Sequence, residues 1–439
     1  MQKIMNHKTT FNHKKIGIWG FGVVGKSAAQ WLQQFDCSVQ ILDKIPQNHP
    51  AWIMQTEESI QSFLEHNDII IASPGIPIHH YEQYHHKCIC ELDIFAQEFS
   101  GPTVAITGSV GKTSITTAIQ HCIPQSIAAG NIGYPMLSAL LQKPQPKAIA
   151  LELSSFQLLH TKSFAPDIAL ITNFYANHLD YHKNEEEYFL AKCNIFKHQQ
   201  PHQKAIIPCS LIKRIENSIS IQSQLFLTCT QNCTHHDYPT FFIQNNAIKF
   251  NNTPIVENID RFPHFTYQEN WLQIVATLYL QSISLQNIHE TLQSLPGQEH
   301  RLEKIITYQG STFYNDSKST VWQATKAAVA TFDNQSCALF LGGLSKGADR
   351  TPLIQFLQNK PIAVFAFGKE AQQIQNLCNQ YTINCFAFKN LHDAVQACLN
   401  QPLPQNIILS PAGASYDLFK NYQERGNIFK NLIKTALQK

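Results

Sequence analysis

The sequence lacks three features that would assign it to a specialised class of protein. No apolar run approaches the length of about eighteen residues that a membrane-spanning helix needs, so no membrane span is predicted. Charge of one sign does not dominate, because 33 Lys and Arg stand against 31 Asp and Glu, which predicts no general attraction to nucleic acid. The twelve cysteines follow neither a disulfide framework nor a zinc-finger spacing, which indicates reduced thiols in a cytoplasmic protein.

The composition is that of an ordinary globular protein. Of the 439 residues, 44% are hydrophobic and 15% are charged, which allows about two to four domains with cores of their own. Strand-like and helix-like segments alternate along the chain, and this order is typical of parallel α/β architecture. Turn signals near Gly101 and Pro296 predict three domains, at residues 1–101, 102–296 and 297–439.

Residues 104–114, with the sequence VAITGSVGKTS, predict a phosphate-binding loop between a strand and a helix. The two glycines allow backbone N–H groups to converge on an oxyanion, and the N-terminus of the helix adds positive potential. Lys112 is placed to reach the terminal phosphates and Thr113 to bind Mg²⁺. The loop is a shortened form of the usual motif, because Ile106 replaces its first glycine.

A second glycine-rich turn lies near the N-terminus. The GFGVVG sequence of residues 20–25 follows a predicted strand and precedes a predicted helix, and Asp43 stands 18 residues after the last glycine. This pattern is the dinucleotide fingerprint, in which a pyrophosphate sits at the helix N-terminus and the acid meets a sugar. NAD and a nucleotide-sugar diphosphate both satisfy it, so the pattern alone leaves the ligand open.

Three polar residues after the phosphate loop are candidates for metal binding. Glu152 closes a predicted strand, and an acid at that end of a strand is placed to hold Mg²⁺ directly or through water. The alternative is a strand-end carboxylate on a solvated rim. His178 and Lys192, taken alone, are more often an ordinary histidine and a solvated lysine.

Near the C-terminus, three predicted strands end in loops rich in Gly, Ser and Lys. These loops begin at residues 342, 368 and 410. Open α/β sheets bind ligands at the carboxyl edge of their strands, so several polar loops along one edge predict a binding site. Any single loop of this kind is explained by the general polarity of loops.

Taken together, these segments resemble the Mur ligases. The matching segments are ITGSVGKT at 106–113, GNIG at 130–133, LELSSFQL at 151–158, NHLD at 177–180, AK at 191–192, HR at 300–301, NDSKST at 315–320, GGLSK at 342–346 and SPAGASYDLFKNYQERG at 410–426. They occur in the family's order over nearly the whole chain. Folylpolyglutamate synthases share the phosphate loop, whereas LELSSFQL and the C-terminal segment are most similar to the members that add D-glutamate. The DNPR motif of the members that add a diamino acid is absent.

The resemblance implies three α/β domains: a Rossmann-like parallel sheet, a P-loop ATPase-like sheet and a second Rossmann-like sheet. It also implies a monomer that uses ATP and two Mg²⁺ ions. The implied reaction joins D-glutamate to UDP-N-acetylmuramoyl-L-alanine through an acyl phosphate, in the cytoplasmic synthesis of peptidoglycan precursors.

The same resemblance assigns roles to individual residues. The expected ATP-binding residues are Gly108, Ser109, Val110, Gly111, Lys112, Thr113, Ser114, Asn131, Asn270, Gln273, Arg301 and Asp316. The expected UDP-substrate residues are Gly20, Phe21, Gly22, Val23, Asp43, Lys44, Gly75 and Asn131, and those for D-glutamate are Lys318, Thr320, Lys346, Ser415, Tyr416 and Tyr422. The implied metal ligands are Thr113, Glu152, His178 and a carbamylated Lys192, and the catalytic set is Lys112, Glu152, His178, Lys192 and Lys318. A neutral lysine amine takes up CO₂ and becomes an anionic oxygen ligand, which explains a lysine beside Mg²⁺.

Two positions depart from the family pattern. They are Asn177, where relatives often carry an acid, and Val110, where they often carry Asn. The first change predicts a more loosely held metal. Three alternatives stay open: a Mur-type or folylpolyglutamate-like ligase for another amino acid, an NAD-dependent oxidoreductase built on residues 20–25, and a P-loop regulator that binds ATP without catalysis.

Overall fold

Three β-sheets flanked by helices make up the fold. The computed structural model describes residues 8–46, 48–77, 82–175, 181–230, 237–259, 262, 268–332 and 335–437. The chain divides into two compact units, of which unit 1 contains Met1–Ile259 and Glu269–Leu292, and unit 2 contains Asp260–Gln268 and Gln293–Lys439. Unit 1 carries two of the sheets and unit 2 carries the third. The predicted domain boundaries near residues 101 and 296 stay predictions.

The first sheet of unit 1 is built from five parallel strands. The strands are β1 (Lys15–Trp19), β2 (Ser38–Asp43), β3 (Trp52–Met54), β4 (Ile69–Ala72) and β5 (Cys88–Ile89), in the spatial order β3-β2-β1-β4-β5. The helices are α1 (Lys8–Phe11), α2 (Val23–Leu32), α3 (Glu57–His66) and α4 (Glu91–Glu98). Ile16 and Ile18 of β1 share a core with Trp31 and Leu32 of α2, because a parallel strand buries its apolar side chains under helices.

The second sheet of unit 1 has nine strands. The strands are β6 (Thr103–Thr107), β7 (Ser126–Gly130), β8 (Ala148–Glu152), β9 (Ile168–Ile171), β10 (Lys204–Pro208), β11 (Gln224–Cys229), β12 (Thr240–Gln244), β13 (Ala247–Phe250) and β14 (Thr253–Val256), in the order β14-β13-β12-β11-β10-β9-β6-β8-β7. The helices are α5 (Lys112–Cys122), α6 (Met136–Leu140), α7 (Ser155–Leu159), α8 (Glu185–Cys193), α9 (Ile212–Ser218), α10 (Gln268–Leu280) and α11 (Leu285–Gln293). The pairs β12–β13 and β13–β14 are antiparallel, and the other pairs are parallel. Strand β6 lies between β8 and β9, and all three strands are buried along their whole length.

Unit 2 contains the third sheet, which has six strands. They are β15 (Glu303–Tyr308), β16 (Ser311–Asn315), β17 (Cys337–Gly342), β18 (Ile362–Phe367), β19 (Cys385–Phe388) and β20 (Asn406–Leu409), in the order β15-β16-β20-β17-β18-β19. The helices are α12 (Trp322–Ala330), α13 (Thr351–Leu357), α14 (Ala371–Gln380), α15 (Leu391–Leu399) and α16 (Tyr422–Leu437). Only the β15–β16 pair is antiparallel among these described strands. Leu339 and Leu341 of β17 face one core while Ala338 and Phe340 face the other, as the alternation of a strand requires.

The predicted class of three α/β sheets with mainly parallel strands is confirmed. Parallel strands end at a common edge, so the loops after β6, β8 and β9 gather at one place in unit 1. The loops after β16, β17, β18 and β20 gather in the same way in unit 2. Within the described residues, every helix is too short or too polar to cross a lipid bilayer.

Candidate active site

The loop between β6 and α5 has the shape that its two glycines allow. Gly108 has a φ of 136°, and Gly111, the residue that caps the N-terminus of α5, has a φ of 89°. A Cβ atom on Gly108 would lie 1.9 Å from the Thr172 hydroxyl oxygen, and one on Gly111 would lie 2.6 Å from the Asn270 side-chain oxygen. Backbone conformation and close packing therefore both require glycine at these positions.

Two residues after β9 hold the loop from behind. The Asn173 side-chain oxygen accepts a hydrogen bond from the Val110 N–H at 2.9 Å, and its amide donates to the Val110 carbonyl at 3.1 Å. The Thr172 hydroxyl donates to the same carbonyl at 2.6 Å. Val110 is thus anchored through its main chain, and its N–H already has a partner within the protein. Thr172 and Asn173 escaped the sequence analysis, because nothing in an ordinary strand ending marks them as loop anchors.

Ser109 ties the same loop to the segment that follows Asn173. Its hydroxyl donates to the Tyr175 carbonyl and accepts from the Tyr175 N–H, both at 2.9 Å. The Tyr188 hydroxyl lies 3.3 Å from the same oxygen. The predicted ligand His178 comes three positions later, within 176–180, and lies outside the described residues.

Lys112 and Lys192 converge on one carbonyl oxygen. The Lys112 amine donates to the Gly108 carbonyl at 2.8 Å, and the Lys192 amine donates to the same oxygen at 2.9 Å. Lys192 is 2% exposed and its amine lies 4.5 Å from the centre of the Tyr188 ring. Burial, and then the charge of Lys112, hold the pKa of Lys192 well below its usual value. Burial and the neighbouring charge therefore both disfavour the protonated amine of Lys192.

Glu152, at the end of β8, presents a carboxylate with one free oxygen. Asn131 donates its side-chain amide to one oxygen at 2.8 Å, and its N–H donates to the Glu152 carbonyl at 2.8 Å. Glu152 is 2% exposed, and among the described residues none donates a hydrogen bond to its second oxygen. A buried carboxylate oxygen without a donor is suited to a cation, so this residue fits the predicted Mg²⁺.

The remaining ATP-binding candidates of unit 1 lie around the same loop. Thr113 and Ser114 occupy the first turn of α5. Asn270 and Gln273 are buried on α10, where Asn270 packs against Gly111, and the Gln273 amide donates to the Thr172 carbonyl at 2.8 Å. Across the described residues there is no cluster of three His, Cys, Asp or Glu side chains able to hold a metal alone.

Beside the first sheet, the Asp43 carboxylate holds the glycine-rich turn through hydrogen bonds to main-chain N–H groups. One of its carboxylate oxygens accepts a hydrogen bond from the Phe21 N–H, and the other accepts from the Ile45 N–H at 2.8 Å. Gly20 has a φ of 87°, and its carbonyl accepts from the Ser73 hydroxyl at 2.9 Å. The other predicted residues of this site, Gly22, Val23, Lys44 and Gly75, are exposed. This arrangement gives Asp43 a role in shaping the turn, which the fingerprint alone did not reveal.

In unit 2, Asp316 lies directly after β16 and is buried. One carboxylate oxygen accepts from the hydroxyls of Ser319, at 2.5 Å, and Ser410, at 2.7 Å. The other accepts from the Leu302 N–H at 3.1 Å, next to Arg301. Burial raises the pKa of Asp316 to about 6, against the lowering effect of these hydrogen bonds.

The D-glutamate candidates lie on the loops of unit 2 and at the first residue of α16. The Lys318 amine donates to the Tyr422 hydroxyl at 2.9 Å and lies 4.2 Å from the centre of that ring. The Lys346 amine lies 5.9 Å from the centre of the Tyr416 ring, which is exposed. The remaining two candidates are Thr320, which is exposed, and Ser415, which is buried.

A buried arginine joins two of these loops. Arg425 of α16 donates to the Ser317 carbonyl at 2.7 Å, to the Ser317 hydroxyl at 3.0 Å and to the Gly413 carbonyl at 2.9 Å. Burial lowers the pKa of Arg425 to about 10. The residue stood inside a matching segment, but a single arginine in a polar helix gave the sequence analysis no reason to assign it a structural task.

Comparisons with known proteins agree with this architecture. The Mur ligase middle domain model matches residues 106–253, and the model for the NAD-binding domain of D-isomer specific 2-hydroxyacid dehydrogenases matches residues 2–111. A MurF from Acinetobacter baumannii has a TM-score of 0.61 at 16% identity, covering 97% of this chain and 93% of that chain. A MurF from Thermotoga maritima, solved in complex with ADP, has a TM-score of 0.57 at 13% identity, covering 99% and 100%. The matched middle domain and the fold are both similar to those of the Mur ligase class.

Relatives that match this chain over nearly their whole length identify the particular family within this class. The UDP-N-acetylmuramoylalanine--D-glutamate ligase of Listeria monocytogenes serotype 4b is 32% identical over 98% of both chains. The ligase of the same name from Geobacillus kaustophilus is 30% identical over 96% of this chain and 98% of its own. The chain belongs to the UDP-N-acetylmuramoylalanine--D-glutamate ligase family.

Proposed function

We propose that the chain uses ATP to join the amine of D-glutamate to the carboxylate of UDP-N-acetylmuramoyl-L-alanine, with release of ADP and phosphate, in the synthesis of peptidoglycan precursors. The observation that carries this proposal is the convergence of Lys112 and Lys192 on the Gly108 carbonyl in a member of this ligase family. It is supported by the MurF of similar fold that was solved with ADP.

Activation of the carboxylate begins at the loop between β6 and α5. The N-terminus of α5 and the Lys112 ammonium favour the negative charge of the ATP phosphates. Transfer of the γ-phosphoryl group to the substrate carboxylate forms an acyl phosphate and leaves ADP. Negative charge accumulates on the transferring group, so fixed cations and N–H donors stabilise the transition state more than the ground state.

Magnesium fits the residues around this loop. Thr113 and the free oxygen of Glu152 would hold one ion, and a carbamylated Lys192 with His178 would hold another. When bound, Mg²⁺ neutralises phosphate charge and polarises the phosphoryl group. A lowered pKa increases the share of neutral Lys192 amine, which is the form that reacts with CO₂, forming an N–C bond with loss of a proton.

The amino-acid substrate would bind in unit 2. Its free amine attacks the acyl carbon, the amide bond forms, and phosphate leaves. D-glutamate carries two carboxylates, and the ammonium groups of Lys318 and Lys346 are suited to them through charge-assisted hydrogen bonds. Tyr422 limits the freedom of the Lys318 amine, with which it forms a hydrogen bond of 2.9 Å.

The turn at residues 20–25 would bind the UDP part of the substrate. An NAD-dependent oxidoreductase is the competing function, and the match of residues 2–111 to an NAD-binding domain is consistent with the shared Rossmann-like sheet. That function gives no task to Lys112, Glu152 and Lys192. A ligase for another amino acid keeps all three tasks and differs only in the substrate of unit 2.

One assay separates these functions. Phosphate release from ATP is measured with UDP-N-acetylmuramoyl-L-alanine and a panel of amino acids, with Lys112→Met as the inactive control. We expect release with D-glutamate alone. Release with a different amino acid would support the related ligase, and no release with any amino acid would reject the ligase function.

A further inference from the structure

The loop between β17 and α13, residues 343–350, has an unusual backbone. Gly343, Lys346 and Gly347 have φ values of 78°, 52° and 80°. A lysine in the left-handed region is uncommon and persists where its surroundings determine the conformation. Lys346 is also the residue expected to bind a substrate carboxylate, and it is exposed to solvent. Contacts from outside the residue must therefore hold the backbone of Lys346 in this conformation.

Arg350, at the end of this loop, holds both the loop and its neighbour. Its side chain is 8% exposed. One guanidinium nitrogen donates to the Gly343 carbonyl at 3.0 Å, and another donates to the Ala412 carbonyl at 3.2 Å. Main-chain hydrogen bonds of 2.8 Å between Leu344 and Ala414 run in parallel with these contacts. Arg350 thus joins the first residue of its own loop to the loop after β20.

Glu370, in the loop after β18, completes the arrangement. Its carboxylate forms an ion pair with the remaining terminal nitrogen of Arg350. It also accepts the Ser345 N–H at 3.0 Å and the Ser345 hydroxyl at 3.2 Å. Ser345 directly precedes Lys346, so the ion pair fixes the residue next to the candidate ligand.

We propose that the Arg350–Glu370 ion pair positions Lys346 for one carboxylate of a dicarboxylic amino acid. This inference rests on the proposed function. Neither side chain of the pair is assigned to substrate contact, so both are positioning residues. A largely buried ion pair is weak evidence for stability, because desolvation of the two charges offsets their attraction. Its contacts with Gly343, Ser345 and Ala412 give it a geometric task instead.

The test uses the full chain and steady-state kinetics. Arg350→Met removes three donors, Glu370→Gln keeps the shape but removes the charge, and the double variant removes both charges. Ile374→Val is the matched control, since it trims a buried side chain of the same unit outside residues 343–350 and keeps the main-chain hydrogen bond from Ile374 to Glu370. We expect Arg350→Met to raise the KM for D-glutamate roughly tenfold or more, because small misplacements of a binding group are costly. The KM for ATP should change by less than about twofold, because effects at independent sites are separate.

The double variant separates positioning from stability. Loss of Arg350 alone leaves the Glu370 charge uncompensated and should lower the melting temperature, whereas removal of both charges should restore part of it. The KM for D-glutamate should stay raised in the double variant, because the hydrogen bonds to Gly343 and Ala412 are still missing. A KM that recovers together with the melting temperature, or that rises equally in the Ile374→Val control, would overturn the proposal.

A second measurement does not depend on turnover. Hydrogen exchange of the Ser345 and Leu344 amides, in protein without ligand, reports whether the loop is held. We expect faster exchange of both amides in Arg350→Met and unchanged exchange in Ile374→Val. If the native chain shows no D-glutamate-dependent phosphate release, the proposed function fails. The exchange measurement still tests whether the Arg350–Glu370 ion pair holds the loop. If the Ser345 amide exchanges at an unchanged rate in Arg350→Met, the ion pair does not hold the loop, whatever the substrate is.

Discussion

Lys192 illustrates how surroundings give a common residue an uncommon chemistry. Its amine is buried, donates to the Gly108 carbonyl at 2.9 Å, and has a pKa held well below its usual value by burial and Lys112. We expect Lys192→Ala to reduce phosphate release roughly a hundredfold or more, because the anionic metal ligand proposed at this position would be lost. Formate or acetate should restore part of the activity by occupying the vacated space.

The control for this experiment is Lys197→Ala, which removes an exposed lysine shortly after α8. It should retain activity and show no response to formate. Full activity of Lys192→Ala without added carboxylate would rule out an anionic form of Lys192. An inactive variant that no carboxylate restores would point to lost packing around the phosphate loop.

At this scale, the sequence predicted residues by chemical pattern and missed residues that act through geometry. The order of glycine, lysine and threonine at residues 108–113 predicts phosphate binding, because few other functions require that pattern. Asn173 and Arg350 carry no such pattern. Their importance depends on the main-chain atoms that they contact. Val110 and Ala412 lie in loops whose preceding strands are distant in sequence but adjacent in the sheet.

Among the elements, α5 depends most directly on a single glycine. Gly111 begins this helix with a φ of 89° and leaves no room for a Cβ beside Asn270. Gly111→Ala should destabilise the fold by about 1–2 kcal/mol through backbone strain alone. The affinity for Mg·ADP should fall roughly tenfold, because the helix N-terminus loses its alignment with the phosphates.

Calorimetric titration of Mg·ADP measures this loss. The matched control is Gly297→Ala, since a Cβ there meets no atom within 4 Å and the backbone is outside the left-handed region. The control should bind ADP as the native chain does. Equal affinity in both variants would mean that the loop tolerates a side chain at residue 111.

Helix α6 starts against a buried carboxylate. Glu91, the first residue of α4, is 2% exposed and accepts the Leu137 N–H at 3.1 Å. Burial raises the pKa of Glu91 to about 7 from an ordinary 4.5. A raised carboxyl pKa means that the folded protein binds an extra proton, so its stabilising effect is present at low pH and is lost as pH rises through about 7.

Glu91→Gln removes this dependence. Between pH 5 and pH 8 the native chain should lose roughly 1–3 kcal/mol of stability relative to the variant, at about 1.4 kcal/mol per pKa unit. Urea unfolding at several pH values measures the difference. The exposed Glu58→Gln on α3 is the control and should follow the native curve. Parallel curves for Glu91→Gln and the native chain would contradict the assigned burial effect.

Elements with strong periodicity were predictable, and those that depend on partners were not. In the sequence, the apolar run at 16–19 predicts a strand and the pattern at 271–281 predicts a helix, and these correspond to β1 (Lys15–Trp19) and α10 (Gln268–Leu280). By contrast, residues 209–265 are polar, rich in Asn and Gln, and have only short apolar runs, yet this stretch contains β11 to β14. These strands extend a sheet whose buried centre already exists, so neighbouring strands supply the hydrogen bonds that local sequence does not signal.

At the scale of the whole molecule, the division into two compact units predicts separable unfolding. Chains of several domains usually depart from two-state behaviour. We expect calorimetry to resolve two components, and Mg·ADP at about a hundred times its dissociation constant to stabilise the unit that carries the phosphate loop by about 2.7 kcal/mol. Leu357→Ala, in the core of unit 2, should lower only the other component, by about 2–5 kcal/mol. A single component shifted by both changes would show that the units unfold together.

The contacts by which Arg350 and Glu370 hold the loop after β17 are also relevant to the design of inhibitors. Because Arg350 and Glu370 already hold this loop, its backbone needs no further ordering when a ligand reaches Lys346. A dicarboxylate that reaches this ammonium would order the Lys346 side chain but not the loop backbone, so a stiff ligand would remove much of the remaining entropic cost. Flexible analogues of the amino acid should therefore gain more from cyclisation than from additional polar groups.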